Sequence, residues 1–195
     1  MTDFTLTPRS AFGATEPQVI AQGTATLRER MGVALASVAA RAGSGPAATD
    51  ALAALVGAPC PISGYVRGPG TSLFWTGPGQ WFVLSDSDPE EQLTSRLRSE
   101  LGATASITGQ GDGWVVFDLT GDDVGAVLER LCNIDLSAFG PGRAQRSVVE
   151  HIPCFVLCAA PGRSYRLLCG RSYAASFTHA MGLAMDTAAA LARRG

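Results

Sequence analysis

The chain has 195 residues, of which 46% are apolar and 16% charged, and its formal net charge is −2. That balance supports a sizeable core, argues against global disorder and leaves no basic footprint for nucleic acid. No apolar run of about 18 residues occurs, so no membrane partner is expected, and MTDFTLTPRSAFG lacks the basic-then-apolar pattern of a secretion signal.

Every basic residue that is not histidine is arginine. Without lysine, the chain has no Schiff-base lysine, no lysine general base and no lysine-anchored phosphate loop. Five cysteines, Cys60, Cys132, Cys154, Cys158 and Cys169, make an odd set with no signal segment before them. Both features fit reduced thiols in a cytoplasmic protein. No CxxC pair occurs, and with only His151 and His179 available no zinc site of ordinary spacing can be built.

Residues 1–22 carry Pro8, Gly13 and Pro17 without a sustained period and read as an N-terminal arm. In 24–42, Leu27, Met31, Leu35 and Val38 fall near helical spacing, while Met31, Val33 and Leu35 alternate as in a strand. The alanine content favours helix. A break at Gly43–Pro46 leads into a helix over 47–57, stopped by Gly57 and Pro59. Residues 60–70, with two prolines and three glycines, form a loop. TSLFW and QWFVLS then make a hairpin around Pro78, which sets Trp75 opposite Trp81 and sends Phe74 and Phe82 to the other face. Helices 47–57 and 88–101 can cover one face of that sheet; the other must meet the second half of the chain or a partner.

The helix over 88–101 has Asp88 as cap, Pro89 in its first turn, Glu90 and Glu91 at its positive end, a Leu93–Leu97–Leu101 stripe and Gly102 as stop. Strands over 104–108 and WVVFDLT follow, joined through Gly109–Gly113. Thr120 and Asp123 suggest a capping box before a helix faced by Val124, Val127, Leu128 and Leu131. After FGPG, residues 143–159 and 164–171 read as strands around Pro161-Gly162. A last helix starts near Ser172, with Tyr173, Phe177, Met181 and Met185 inward. Hairpins with interspersed helices indicate an α+β fold.

The chemistry-bearing candidates are few. TGPGQW and GQGDGW join strands and open no helix, so neither is a phosphate loop. His151 and His179 read as structural histidines. Cys154 and Cys158 share a strand face, and pairing about Pro161-Gly162 sets Cys169 opposite Cys154; a disulfide is conceivable there, but buried thiols suit an intracellular core better. Helix starting explains Asp122 and Asp123, and strand alternation explains Asp118. Arg143 and Arg146, after FGPG, mark a docking or anion-contacting edge or are ordinary solvated arginines.

Three segments carry a family resemblance: LFWTGPGQWFVLS; VVFDLTGDDVGAVLERLCNIDLSAFGPGRAQRS; and YRLLCGRSYAASF. In this order and spacing, over about residues 70–180, the chain resembles the gamma subunit of heterotetrameric sarcosine oxidase, a family related to the folate-binding fold of aminomethyltransferases. The resemblance implies two ferredoxin-like βαββ-type halves, with 23–110 and 111–195 packed as one unit after the arm, and a strand at 30–41 despite the alanines. It implies a non-catalytic gamma subunit supporting assembly of a complex for oxidative demethylation of sarcosine to glycine. Its partners would be alpha, beta and delta subunits carrying FAD, FMN, NAD and tetrahydrofolate. Catalytic and metal-binding residues are expected to be absent, and Trp75, Trp81, Arg143 and Arg146 are the expected interface. A stand-alone folate-binding or aminomethyltransferase-like protein is the alternative, with Asp118 as its pterin-pairing carboxylate. Where the family often has an acid after the hairpin Gly-Pro, this chain has Gly79.

Overall fold

Alternation, and not alanine content, decides the N-terminal third. In the computed structural model, which describes residues 7–122 and 124–193, residues 24–42, whose alanines favour helix, form strands instead, one of them, Ala34–Ala40, within the 30–41 strand that the family resemblance implies. The elements run β1 (Val19–Gln22), β2 (Ala25–Glu29), β3 (Ala34–Ala40), α1 (Gly45–Val56), β4 (Tyr65–Arg67), β5 (Thr71–Gly77), β6 (Gln80–Ser85), α2 (Glu90–Leu101), β7 (Ala105–Gly109), β8 (Trp114–Thr120), α3 (Gly125–Leu128), β9 (Ala144–Val149), β10 (Ile152–Ala160), β11 (Ser164–Gly170) and α4 (Ala174–Ala192), with a 3-10 turn at Arg171–Tyr173. The small side chains of β3 fit a strand flanked on both sides, by β6 and β7. Burial of both its faces outweighs a helix propensity worth at most a few tenths of a kcal/mol per residue.

Two antiparallel sheets result. One runs β4-β5-β6-β3-β7 and the other β1-β2-β8-β11-β10-β9. In the first, β3–α1–β5–β6–α2–β7 is a ferredoxin-like unit with strand order β5-β6-β3-β7. In the second, β8–α3–β10–β11–α4 repeats that order but lacks its last strand. The missing place beside β8 is taken by β2, antiparallel, with Leu27 opposite Leu119 and Arg28 opposite Asp118. The division into an arm over 1–22 and a first half from 23 is therefore not how the sheets divide. Residues 19–29 are a hairpin of the second sheet, because β8 would otherwise expose an unpaired edge.

The molecule is layered helix, sheet, sheet, helix. The outer face of the first sheet buries Val38, Leu73, Trp81 and Val83 under Leu52 of α1 and Leu93 and Leu97 of α2. The outer face of the second buries Leu27, Phe117, Leu119 and Tyr165 under Val127 of α3 and Phe177, Met181 and Met185 of α4. Between the sheets lie Leu35, Phe74, Phe82, Leu84, Val116, Phe155, Leu157 and Leu168. There Phe74–Phe155, Phe82–Trp114 and Trp114–Phe155 ring centroids are 5.1, 5.3 and 5.5 Å apart, within the favourable aromatic range. The hairpin expectation holds: Trp75 pairs with Trp81 and Phe74 with Phe82. The second sheet covers the face carrying the phenylalanines.

Local details differ from the sequence reading. Proline 89 occupies the cap position of α2, and Asp88 instead pairs with Arg96 at 2.9 Å. Glu90 leaves the helix end to accept from the Gly111 N–H at 2.5 Å, which ties the β7–β8 turn to α2. The expected 143–159 strand is two strands, turned by Glu150 (φ 44°) and His151 (φ 74°). Positive φ at both central residues is the two-residue hairpin geometry usually signalled by Asn-Gly, so Glu-His gave no cue. Tyr173 is exposed, because the chain is still in the 3-10 turn there and α4 starts one residue later. The proposed Thr120–Asp123 box involves Asp123, which lies outside the described residues. No helix among the described residues is long and apolar enough to cross a membrane.

Candidate functional site

Alternation along β8 turns Phe117 and Leu119 toward α3 and α4, and Val116 and Asp118 toward the other sheet. The pairing of β8 with β11 places Arg166 directly opposite Asp118. At this point the inter-sheet layer stops being apolar. Arg166 grips Asp118 through two nitrogens, Nε–Oδ1 at 2.8 Å and Nη2–Oδ2 at 3.2 Å. Its third nitrogen, Nη1, reaches Asp86 Oδ2 at 3.2 Å, on the segment after β6. Arg30, after β2, donates to Asp118 Oδ2 at 2.6 Å and lies 3.5 Å from Asp86 Oδ1. Four charges from four chain segments thus clasp the two sheets at the rim of their shared core.

The clasp is strongest at its buried end, where the Arg166 side chain is 9% exposed and that of Asp118 20%. Burial alone would raise the Asp118 pKa. The hydrogen bonds and charge of Arg166, then those of Arg30, outweigh burial and hold the carboxyl below the usual carboxylate range. For Arg166, burial works against its charge, but the hydrogen bond and charge of Asp118, then Asp86, keep it firmly protonated. A carboxylate gripped this way has its oxygens occupied by guanidinium groups, so Asp118 does not fit the free pterin-pairing acid of the alternative reading.

Around the clasp is a cleft of about 90 Å³ lined by Arg30, Tyr65, Arg67, Asp118, Leu157, Ala159, Ser164 and Arg166. Sequence reasoning missed Arg30, Asp86 and Arg166 as a group. Only the register of β2, β8 and β11 brings them together, and no local spacing encodes it.

The four expected interface residues separate. Trp81 is 3% exposed in the core under α1 and α2, and its indole N–H donates to the Pro61 carbonyl at 2.8 Å. It is a core anchor and presents no docking surface. Trp75 is half-buried against the same core. Arg143 lies in the exposed turn before β9, and Arg146 is exposed on β9, the edge strand of the second sheet.

Other candidates carry little chemistry. Cys154 and Cys169 are direct cross-strand partners, free and buried. Burial pushes both thiols up to about 12, which leaves almost no thiolate near neutral pH. His151 and His179 are exposed. Among the described residues no cluster of histidine, cysteine and acid could hold a metal ion.

The model of the "Sarcosine oxidase, gamma subunit family" matches residues 39–189. The chain belongs to that family. A search of curated proteins gives no significant match. Among solved structures, the chain is similar to one in the heterotetrameric sarcosine oxidase from Corynebacterium sp. U-96 in complex with pyrrole 2-carboxylate. The identity is 25%, the TM-score 0.74, and the match covers 88% of this chain and 89% of that one. It is also similar to the glycine cleavage system aminomethyltransferase T from Bartonella henselae, at 13% identity and TM-score 0.59 over 82% of this chain and 46% of that one. The second likeness is one of fold, and this chain spans less than half of that enzyme. The family match leaves out β1, β2 and the first residues of β3, although β2 completes the second sheet.

Proposed function

We propose that this chain is the non-catalytic gamma subunit of a heterotetrameric sarcosine oxidase, working in the cytoplasm to support assembly of the complex. The observation that carries this reading is the end-to-end likeness to a chain of such a complex, 88% of this chain on 89% of that one, together with the family match. The chemistry of the chain supports it. The carboxylate of Asp118 is committed to two arginines, and the thiols of Cys154 and Cys169 are held protonated by burial. In this reading the alpha, beta and delta subunits carry FAD, FMN, NAD and tetrahydrofolate, and the complex demethylates sarcosine oxidatively to glycine. Arg143 and Arg146, exposed on and beside the β9 edge, belong to the docking surface.

Co-expression with the neighbouring oxidase subunits tests this directly. A single complex should elute with flavin absorbance and sarcosine-dependent oxidase activity, while the isolated chain is colourless. A chain that stays monomeric in the presence of those subunits, or that carries a flavin band alone, refutes the proposal.

A further inference from the structure

The inner face of the second sheet is only partly roofed by the first. In register, Arg28, Asp118, Arg166 and Leu157 form one row across β2, β8, β11 and β10. Leu157 and Arg166 are buried, whereas Arg28 is exposed. The next row outward, Thr26, Thr120 and Ser164, consists of short polar side chains, half-buried or exposed. Arg67 faces the same space from the other sheet: it is exposed on β4 and lines the cleft with Arg30, Asp118 and Arg166. The result is a shelf of small residues beside the clasp, flanked by two exposed guanidinium groups.

The charges on this shelf do not balance. Asp118 and Asp86 are both engaged by Arg30 and Arg166. Those four groups neutralise one another, and among the described residues no carboxylate lies within ion-pair distance of Arg28 or Arg67. Although the whole chain is net negative, this face carries two surplus positive charges on a sheet surface left open. Arginines here are well placed for carboxylates, because the planar fork binds them bidentately and sheds water more readily than an ammonium does.

We infer that the open shelf around Arg28 and Arg67 receives an acidic segment of another subunit of the oxidase, with at least one Asp or Glu side chain on each arginine. The inference rests on the assembly role proposed above and names the chemistry of the contact. Docking there would cover the exposed part of the Arg30–Asp118–Arg166 clasp and strengthen it by removing water.

The test is co-expression of the full chain with its oxidase partners, as wild type, as Arg28→Gln/Arg67→Gln and as Arg28→Glu/Arg67→Glu. The thermal transition of each isolated chain is recorded as a control for folding. The wild-type complex should release this subunit more readily as salt is raised from ~50 to ~500 mM, where exposed ion pairs are screened. The glutamine pair should weaken retention by about tenfold or more, and the glutamate pair should abolish it while melting like wild type. Folded glutamate variants retained like wild type at every salt concentration overturn the inference and leave the assembly role intact. Salt-sensitive self-association of the wild-type chain that is lost in the variants also overturns it, since the occupant is then a second copy. Failure of the wild type itself to assemble defeats the assembly role instead.

Discussion

Trp81 and Asp118 show how much a single side chain's surroundings decide. Trp81 is enclosed by the two helices of the first unit, and its N–H is used by the Pro61 carbonyl. Trp81→Ala should therefore cost about 3–5 kcal/mol, from the cavity and the orphaned carbonyl together, read as a fall in the denaturant midpoint. A variant with unchanged midpoint would remove Trp81 from the core. Asp118 has a folded-state pKa below its unfolded value, so on acidification the unfolded chain takes up a proton before the folded chain does. Its stabilising contribution is complete above the unfolded carboxylate value of ~3.9 and is lost as pH falls through the lower folded value. Stability measured from neutral pH into that acid window should fall more steeply in wild type than in Asp118→Asn. Parallel curves would show that the clasp does not titrate as described.

At the scale of elements, the N-terminal hairpin depends on one backbone approach. Gly121 closes β8 at φ 143°, and a Cβ added there would sit 2.1 Å from the Thr24 carbonyl oxygen. That oxygen is backbone and cannot swing away. Gly121→Ala should push β1 and β2 off β8 and destabilise the chain by at least ~2 kcal/mol. Amide hydrogen exchange should locate the change first in residues 25–29. Uniform protection in the variant would mean that β2 is held by other contacts. Leu27 falls near helical spacing in the sequence, and neither its strand nor the sheet that strand joins was legible there. Which sheet a strand completes depends on an edge created by residues some ninety positions away, and no window of sequence contains both.

For the whole molecule, the eight-residue layer between the sheets makes two ferredoxin-like units into one cooperative structure. Trp75 and Trp81 report on the first unit and Trp114 on the second, so fluorescence and far-ultraviolet circular dichroism should trace a single coincident unfolding transition. Phe155→Ala, which removes the ring touching Phe74, Phe82 and Trp114, should cost about 3–5 kcal/mol and separate the two probes. Coincident curves in that variant would show that the clasp alone couples the units. The sequence by itself determined what is local or compositional: the exclusion of lysine chemistry, the Trp75/Trp81 hairpin, the leucine stripe of α2 and the three segments that carry the family. Tertiary structure alone decided that the strand at 34–40 is a central one between β6 and β7, that Glu150-His151 turns a hairpin, that Trp81 is core, and that Arg30, Asp86, Asp118 and Arg166 meet. The reason is physical. Propensity and periodicity act over one or two turns of chain, whereas burial on both faces of a strand and pairing of charges across sheets are set by contacts between distant segments, and those contacts are worth more than the local preferences they override.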